Sequence, residues 1–209
     1  MQTVVRWVCV SLLIAFVIVA CGPRSQDKSV SAAPGWSGGR LDSLRRYYRE
    51  DQAGRAEAPS ASDSVKDAMR RADSARTEWL LTALLRDGWP VRALYGDSAS
   101  DGAFLIVQHS PDTAWRRQML PILDFLGRAQ QQSCSDVALL TDRVRQQQGQ
   151  LQRFGTQFSL VDGRLQLDPI EDSAGVESRR KEVGLPSLAE QAQALAEFYK
   201  MPVGKSGVR

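Results

Sequence analysis

The chain contains one histidine, His109, and histidine is the side chain whose unperturbed charge changes near neutral pH. It closes the run Ala103-Phe104-Leu105-Ile106-Val107-Gln108-His109. At helical spacing it shares a face with Leu105 and Ile106, at a helix C-terminus where the dipole favours the imidazolium. Such a histidine either satisfies a carbonyl or carboxylate at a helix junction or serves as a general acid or base. Asp142 and Arg143 are the next candidates. On a helix whose apolar stripe is Val137, Leu140 and Val144, Asp142 lies nearly opposite the stripe and Arg143 a quarter turn away, so amphipathicity alone puts Asp142 in water. The functional alternative has Arg143 hold a carboxylate or phosphate and Asp142 orient His109. A third group is Phe154-Gly155-Thr156-Gln157, which either docks a turn or lines a pocket as a polar loop. Gln108, Gln152 and Gln157 together suit uncharged polar ligands.

Other chemistries are excluded by what the chain lacks. One histidine and few cysteines leave no zinc cluster, and there is no Gly-rich phosphate loop. Glu171-Asp172 lacks the ligand spacing of a calcium loop. No cofactor is expected.

The elements that position these residues read as mainly helical. Leu41, Leu44, Tyr47 and Tyr48 begin an amphipathic helix that Pro59 ends. A second runs from Ser62 or Asp63 to about Arg86, before Gly88. Gly88-Trp89-Pro90 is a turn. The apolar run up to His109 fits a core strand or a buried helix; flanking helices favour a helix over about 98–109. Ser110-Pro111 reads as a cap and first position of the next helix, with a kink at Pro121. Ser135 is expected to cap a helix running to about Gln148. Alternation then replaces the helical period, and Asp162-Gly163 predicts a β-hairpin between Phe158-Leu160 and Leu165-Leu167. Helices over about 174–183 and 187–200 finish the chain. The expectation is a single mainly α domain of about seven helices with one β-hairpin.

The N-terminus places this domain. Residues 7–20 are apolar except Ser11, too short to span a bilayer, which takes roughly 20 residues, but suited to a signal peptide. Ile18-Val19-Ala20-Cys21 resembles the bacterial lipobox, with Cys21 as the lipidated residue. Cleavage leaves 189 of the 209 residues, enough for one domain. Gly22 in place of aspartate favours an outer-membrane lipoprotein facing the periplasm. Residues 1–20 are thus the signal peptide, 21–40 a lipidated Cys and flexible tether rich in Ser, Gly, Ala and Pro, 41–202 the domain and 203–209 a disordered tail. A tether of about 18 residues reaches on the order of 25 Å. With Cys9 removed and Cys21 acylated, Cys134 is alone and no internal disulfide forms. The formal charge of +3 falls by one with Arg6, and without a basic block there is no footprint for nucleic acid.

Several separated motifs, in order, carry a resemblance. They are Gly88-Trp89-Pro90, Leu105-Ile106-Val107-Gln108-His109, Leu140-Thr141-Asp142-Arg143-Val144, then Gly149, Gln152 and Phe154-Gly155-Thr156-Gln157. Pro169-Ile170-Glu171-Asp172 and Arg179-Arg180 before Val183-Gly184-Leu185 complete the set. Over about residues 75–190 the chain resembles an uncharacterised bacterial family found as soluble proteins and as lipoproteins. Phe154 stands where the family often has tyrosine, and Glu177 where it often has aspartate. The pattern lacks a cysteine at position 134, which counts against a Cys134–His109 dyad. The leading expectation is a pocket lined by Gln108, His109, Asp142, Arg143, Thr156, Gln157 and Arg180, with His109 and Asp142 as catalytic candidates, that binds or hydrolyses a small polar or peptide-like molecule. The alternative is a non-catalytic envelope scaffold for a partner protein, its polar residues locking helix junctions. Exposed aromatics such as Trp36, Tyr47 and Tyr48 would favour that alternative.

Overall fold

The computed structural model describes residues 35–55 and 61–204. The expected signal peptide, Cys21, most of the expected tether, residues 56–60 and the last five residues lie outside the described residues. Among the described residues there are eight helices and one antiparallel hairpin, as expected in class. In chain order they are α1 (Gly38–Arg55), α2 (Asp63–Asp87), α3 (Arg92–Tyr95), α4 (Asp97–His109), α5 (Thr113–Arg128), α6 (Cys134–Gln147), β1 (Phe158–Val161), β2 (Arg164–Leu167), α7 (Val176–Glu182) and α8 (Leu188–Tyr199).

The apolar run before His109 is helix, and α4 is central: α1, α2, α3 and α5 all pack against it. That explains why its stretch 103–107 is apolar on every side. Ala99, Ala103, Phe104, Ile106 and Val107 are buried, with Leu44, Leu80, Leu123 and Leu140 closing the core from the other helices. Each such leucine contributes about 1.5–3 kcal/mol by leaving water. Gly102 sets the closeness of α1 and α4, since a Cβ there would collide with the Leu44 carbonyl.

The hairpin turns at Asp162-Gly163 as expected. Both residues have positive φ, 49° and 73°, the geometry that Asp-Gly supplies in a two-residue turn. Phe158 pairs with Leu167 and Leu160 with Leu165. Phe158 and Leu165 join Leu195 and Tyr199 of α8 in a second, smaller core.

Several boundaries differ from expectation. Helix α1 starts at Gly38, and Trp36 before it is buried, its indole N–H donating to the Gly88 carbonyl at 2.9 Å. Trp36 therefore offers no docking surface, and Tyr47 and Tyr48 are half-buried. Helix α5 is capped by Asp112, which accepts from the Trp115 amide, instead of by Ser110, and it continues through Pro121. Ser133, not Ser135, precedes α6. Order also runs past residue 202: the Gly204 amide donates to the Leu165 carbonyl at 2.8 Å.

Candidate functional site

Helix α6 presents Asp142 and Arg143 to the segment 152–157, and both side chains are buried. The expectation that Asp142 faces water is overturned because the loop returns over that side of the helix. Asp142 Oδ1 accepts from the backbone amides of Arg153 at 2.7 Å and Phe154 at 3.0 Å. Its Oδ2 accepts from the Thr156 amide and hydroxyl, both at 2.9 Å. Burial pushes this carboxyl above its ordinary range, opposed by those same donors.

The loop is held from its other sides too. Gln152 imitates a strand neighbour: its Oε1 accepts from the Gln157 amide at 2.6 Å, and its Nε2 donates to the carbonyls of Gln157 and Asp168 at 3.0 and 2.8 Å. Gly155 has φ +65°, and a side chain there would run into Ile170 and Leu188, so glycine is required. From α7, Arg180 donates to the carbonyls of Phe154, Gly155 and Pro186, and to Gln191 of α8. Burial lowers its pKa. Gln191 completes the clasp by donating to the Thr156 carbonyl.

His109 lies at the end of α4, its side chain 5 % exposed. Its Nε2 stands 3.3 Å from Oδ2 of Asp51, itself buried, on α1. Asp51 is thus the acid set against the ring. The expected orienting role of Asp142 is not what its geometry shows, since both its oxygens are engaged by the loop. Beside this pair, Arg143 and Arg116 both donate to the Gln108 carbonyl, at 3.0 and 3.4 Å. Arg143 also donates to Gln157 Oε1 at 3.2 Å, which joins the His109 end of α4 to the loop. Gln108 enters through its backbone oxygen. Its side-chain Oε1 is buried and has no hydrogen-bond partner among the described residues.

Of the residues singled out from sequence, Asp142, Arg143, Thr156, Gln157 and Arg180 form one connected network, and Gln108 joins it through Arg143. His109 adjoins it only by sequence, next to Gln108, while its ring is set against Asp51 of α1. Sequence reasoning missed Asp51, Arg116 and Gln191. Asp51 had a signal: it lies seven residues after Leu44 and three after Tyr48, an acid on the buried stripe of an amphipathic helix. Arg116 had one too, between the buried Trp115 and Met119. Glu171 and Asp172 pair with Arg145 and Arg179, at 2.5 and 2.7 Å.

A family model described as a family of unknown function, DUF6624, matches residues 46–204. No curated protein and no solved structure matches the chain.

Proposed function

Because the chain belongs to DUF6624, a family of unknown function, we propose its role from its own geometry: a lipid-anchored cell-envelope domain that receives a small polar or peptide-like molecule at the His109–Asp51 pair. The observation that carries this is a buried imidazole 3.3 Å from a buried carboxylate, next to two guanidiniums gathered on the Gln108 carbonyl. Asp51 fixes the ring and compensates an imidazolium, so His109 is suited to take or give a proton. Arg143 and Arg116 favour negative charge on a bound molecule. The clasped 152–157 loop is the rigid frame that holds Arg143 in place through Gln157. The anchor at Cys21 is read from the lipobox-like sequence, and Gly22 favours the outer membrane.

The test is a thermal-shift screen of the full-length protein in detergent against dipeptides and N-acetylated amino sugars. A compound that raises the Tm of the parent should leave His109→Ala unshifted. The variant itself should stay within about 1–2 kcal/mol of the parent, the range of ordinary substitutions. A shift that persists in His109→Ala, or a variant that unfolds outright, overturns the reading.

The second reading, a non-catalytic envelope scaffold, is favoured by a different observation. The donors and acceptors of Asp142, Gln152 and Arg180 are directed mainly at the backbone of one loop, as locking groups would be.

A further inference from the structure

An open cavity of about 460 Å³ lies along α2, with Arg40 of α1 at one end. Small-molecule sites span about 300–1,000 Å³. Its wall is one stripe of α2, namely Ala75, Glu78, Trp79, Thr82, Ala83 and Arg86, spaced by three and four residues as a single helix face requires. Asp51 stands eleven residues beyond Arg40 on α1, roughly 16 Å along the helix axis, so this cavity is separate from the His109–Asp51 pair.

The two ends of the cavity carry opposite charge. Arg86 donates to both oxygens of Asp87, at 3.1 and 3.0 Å. Arg40 stands against the same carboxylate at 3.0 Å and donates to the Gly35 carbonyl at 2.9 Å. Two guanidiniums thus share one carboxylate, and a positive charge remains at this end. The Arg40 Nε is buried and donates no hydrogen bond, which leaves donor capacity unused. At the other end Glu78 is exposed, with no cation paired to it among the described residues. Arg76, the nearest base along the chain, pairs with Asp73 and Glu50 instead, at 3.3 and 3.7 Å.

Between and beside these ends the lining is neutral. Trp79 is held in place by edge contacts with Trp36 and Tyr47, at 5.9 and 5.2 Å between ring centres. Thr82 lies midway. Its hydroxyl donates to the Glu78 carbonyl at 3.1 Å, so its oxygen is left to accept. Ala75 and Ala83 keep the floor clear of long side chains.

We propose that this cavity binds a short zwitterionic peptide of about three residues, its ammonium at Glu78 and Trp79 and its carboxylate at Arg40 and Arg86. The ammonium gains from both a carboxylate and an aromatic ring, and the carboxylate matches the guanidinium fork. Thr82 accepts from a central peptide N–H. Span decides the class of ligand. Glu78 and Arg86 are eight residues apart, about 12 Å along the axis. An extended chain covers about 3.3–3.6 Å per residue, so three residues set their charged ends about 10–11 Å apart. A dipeptide, or the head of a zwitterionic lipid, is too short to engage both ends.

The experiment is an NMR titration of the full-length protein in detergent with trialanine, following the indole N–H of Trp79. The signal should shift saturably. Glu78→Gln should weaken the affinity about five-fold, the upper range for a solvent-exposed ion pair. N-acetyl-trialanine, which lacks the ammonium, should bind the parent as weakly as trialanine binds the variant, with no further loss in the variant. Dialanine and phosphoethanolamine should bind more weakly than trialanine. His109→Ala should bind trialanine as the parent does, so this result is distinct from the fate of the His109 site. The proposal is overturned by the absence of a saturable shift, by equal affinity of the parent and Glu78→Gln, by phosphoethanolamine or dialanine binding as tightly as trialanine, or by loss of trialanine binding in His109→Ala.

Discussion

At the scale of single residues, Asp142 shows how a loop can reverse what a helix pattern implies. Its two oxygens take donors from Arg153, Phe154 and Thr156, and no alternative acceptor replaces a lost carboxylate there. Leaving a buried donor unsatisfied costs about 1–3 kcal/mol, and several would be left at once. Asp142→Ala should therefore lower stability by about 3 kcal/mol or more, read as a fall in the urea midpoint. A loss below about 1 kcal/mol would show that the loop finds other partners. The residue types of this network were legible in the sequence, since Asp142, Arg143, Thr156 and Gln157 stand close along the chain; that the loop returns over Asp142 was not, because the helix pattern put that side chain in water. The partner of His109 was not, because Asp51 arrives from α1 through tertiary packing, and no local spacing links the two positions.

At the scale of elements, the contact between α1 and α4 rests on the absence of one side chain. Gly102 faces the Leu44 backbone so closely that even a methyl group has no space. Overpacking of this kind typically costs 1–3 kcal/mol. Gly102→Ala should lower the Tm by several degrees and, by shifting α1, abolish any compound-induced shift that depends on His109. Normal stability together with a normal ligand response would show that α1 moves freely to make room. The elements themselves were legible where local chemistry is strong. Ser62 before α2 accepts from the Val65 amide, and Ser187 with Glu190 forms the capping box of α8. Errors arose where two candidate caps stand close together: the Ser110 hydroxyl oxygen instead accepts from the Asp112 amide, leaving Asp112 to cap α5. The four-residue α3 is too short to carry a period, and its position depends on the Arg92 amide reaching the Gln131 carbonyl.

At the scale of the whole molecule, the lipid reading makes its own demand. Cys21→Ser should yield an unprocessed precursor without lipid, seen as a mass increase by the signal peptide and loss of the acyl groups. A normally matured Cys21→Ser protein, or a free thiol at Cys21 in the native one, would refute the anchor. Given that anchor, the burial of Trp36 acquires a mechanical meaning. The stretch from Cys21 to Trp36 spans at most about 50 Å when taut. Any pull from the bilayer then enters the body at an indole wedged edge-on against Trp79, 5.9 Å between ring centres, and bonded to the Gly88 carbonyl. Gly88 is the cap at the far end of α2. Tension on the leash is thus divided between the root of α1 and the tip of α2, so it loads two helices in parallel and does not peel the first one turn by turn.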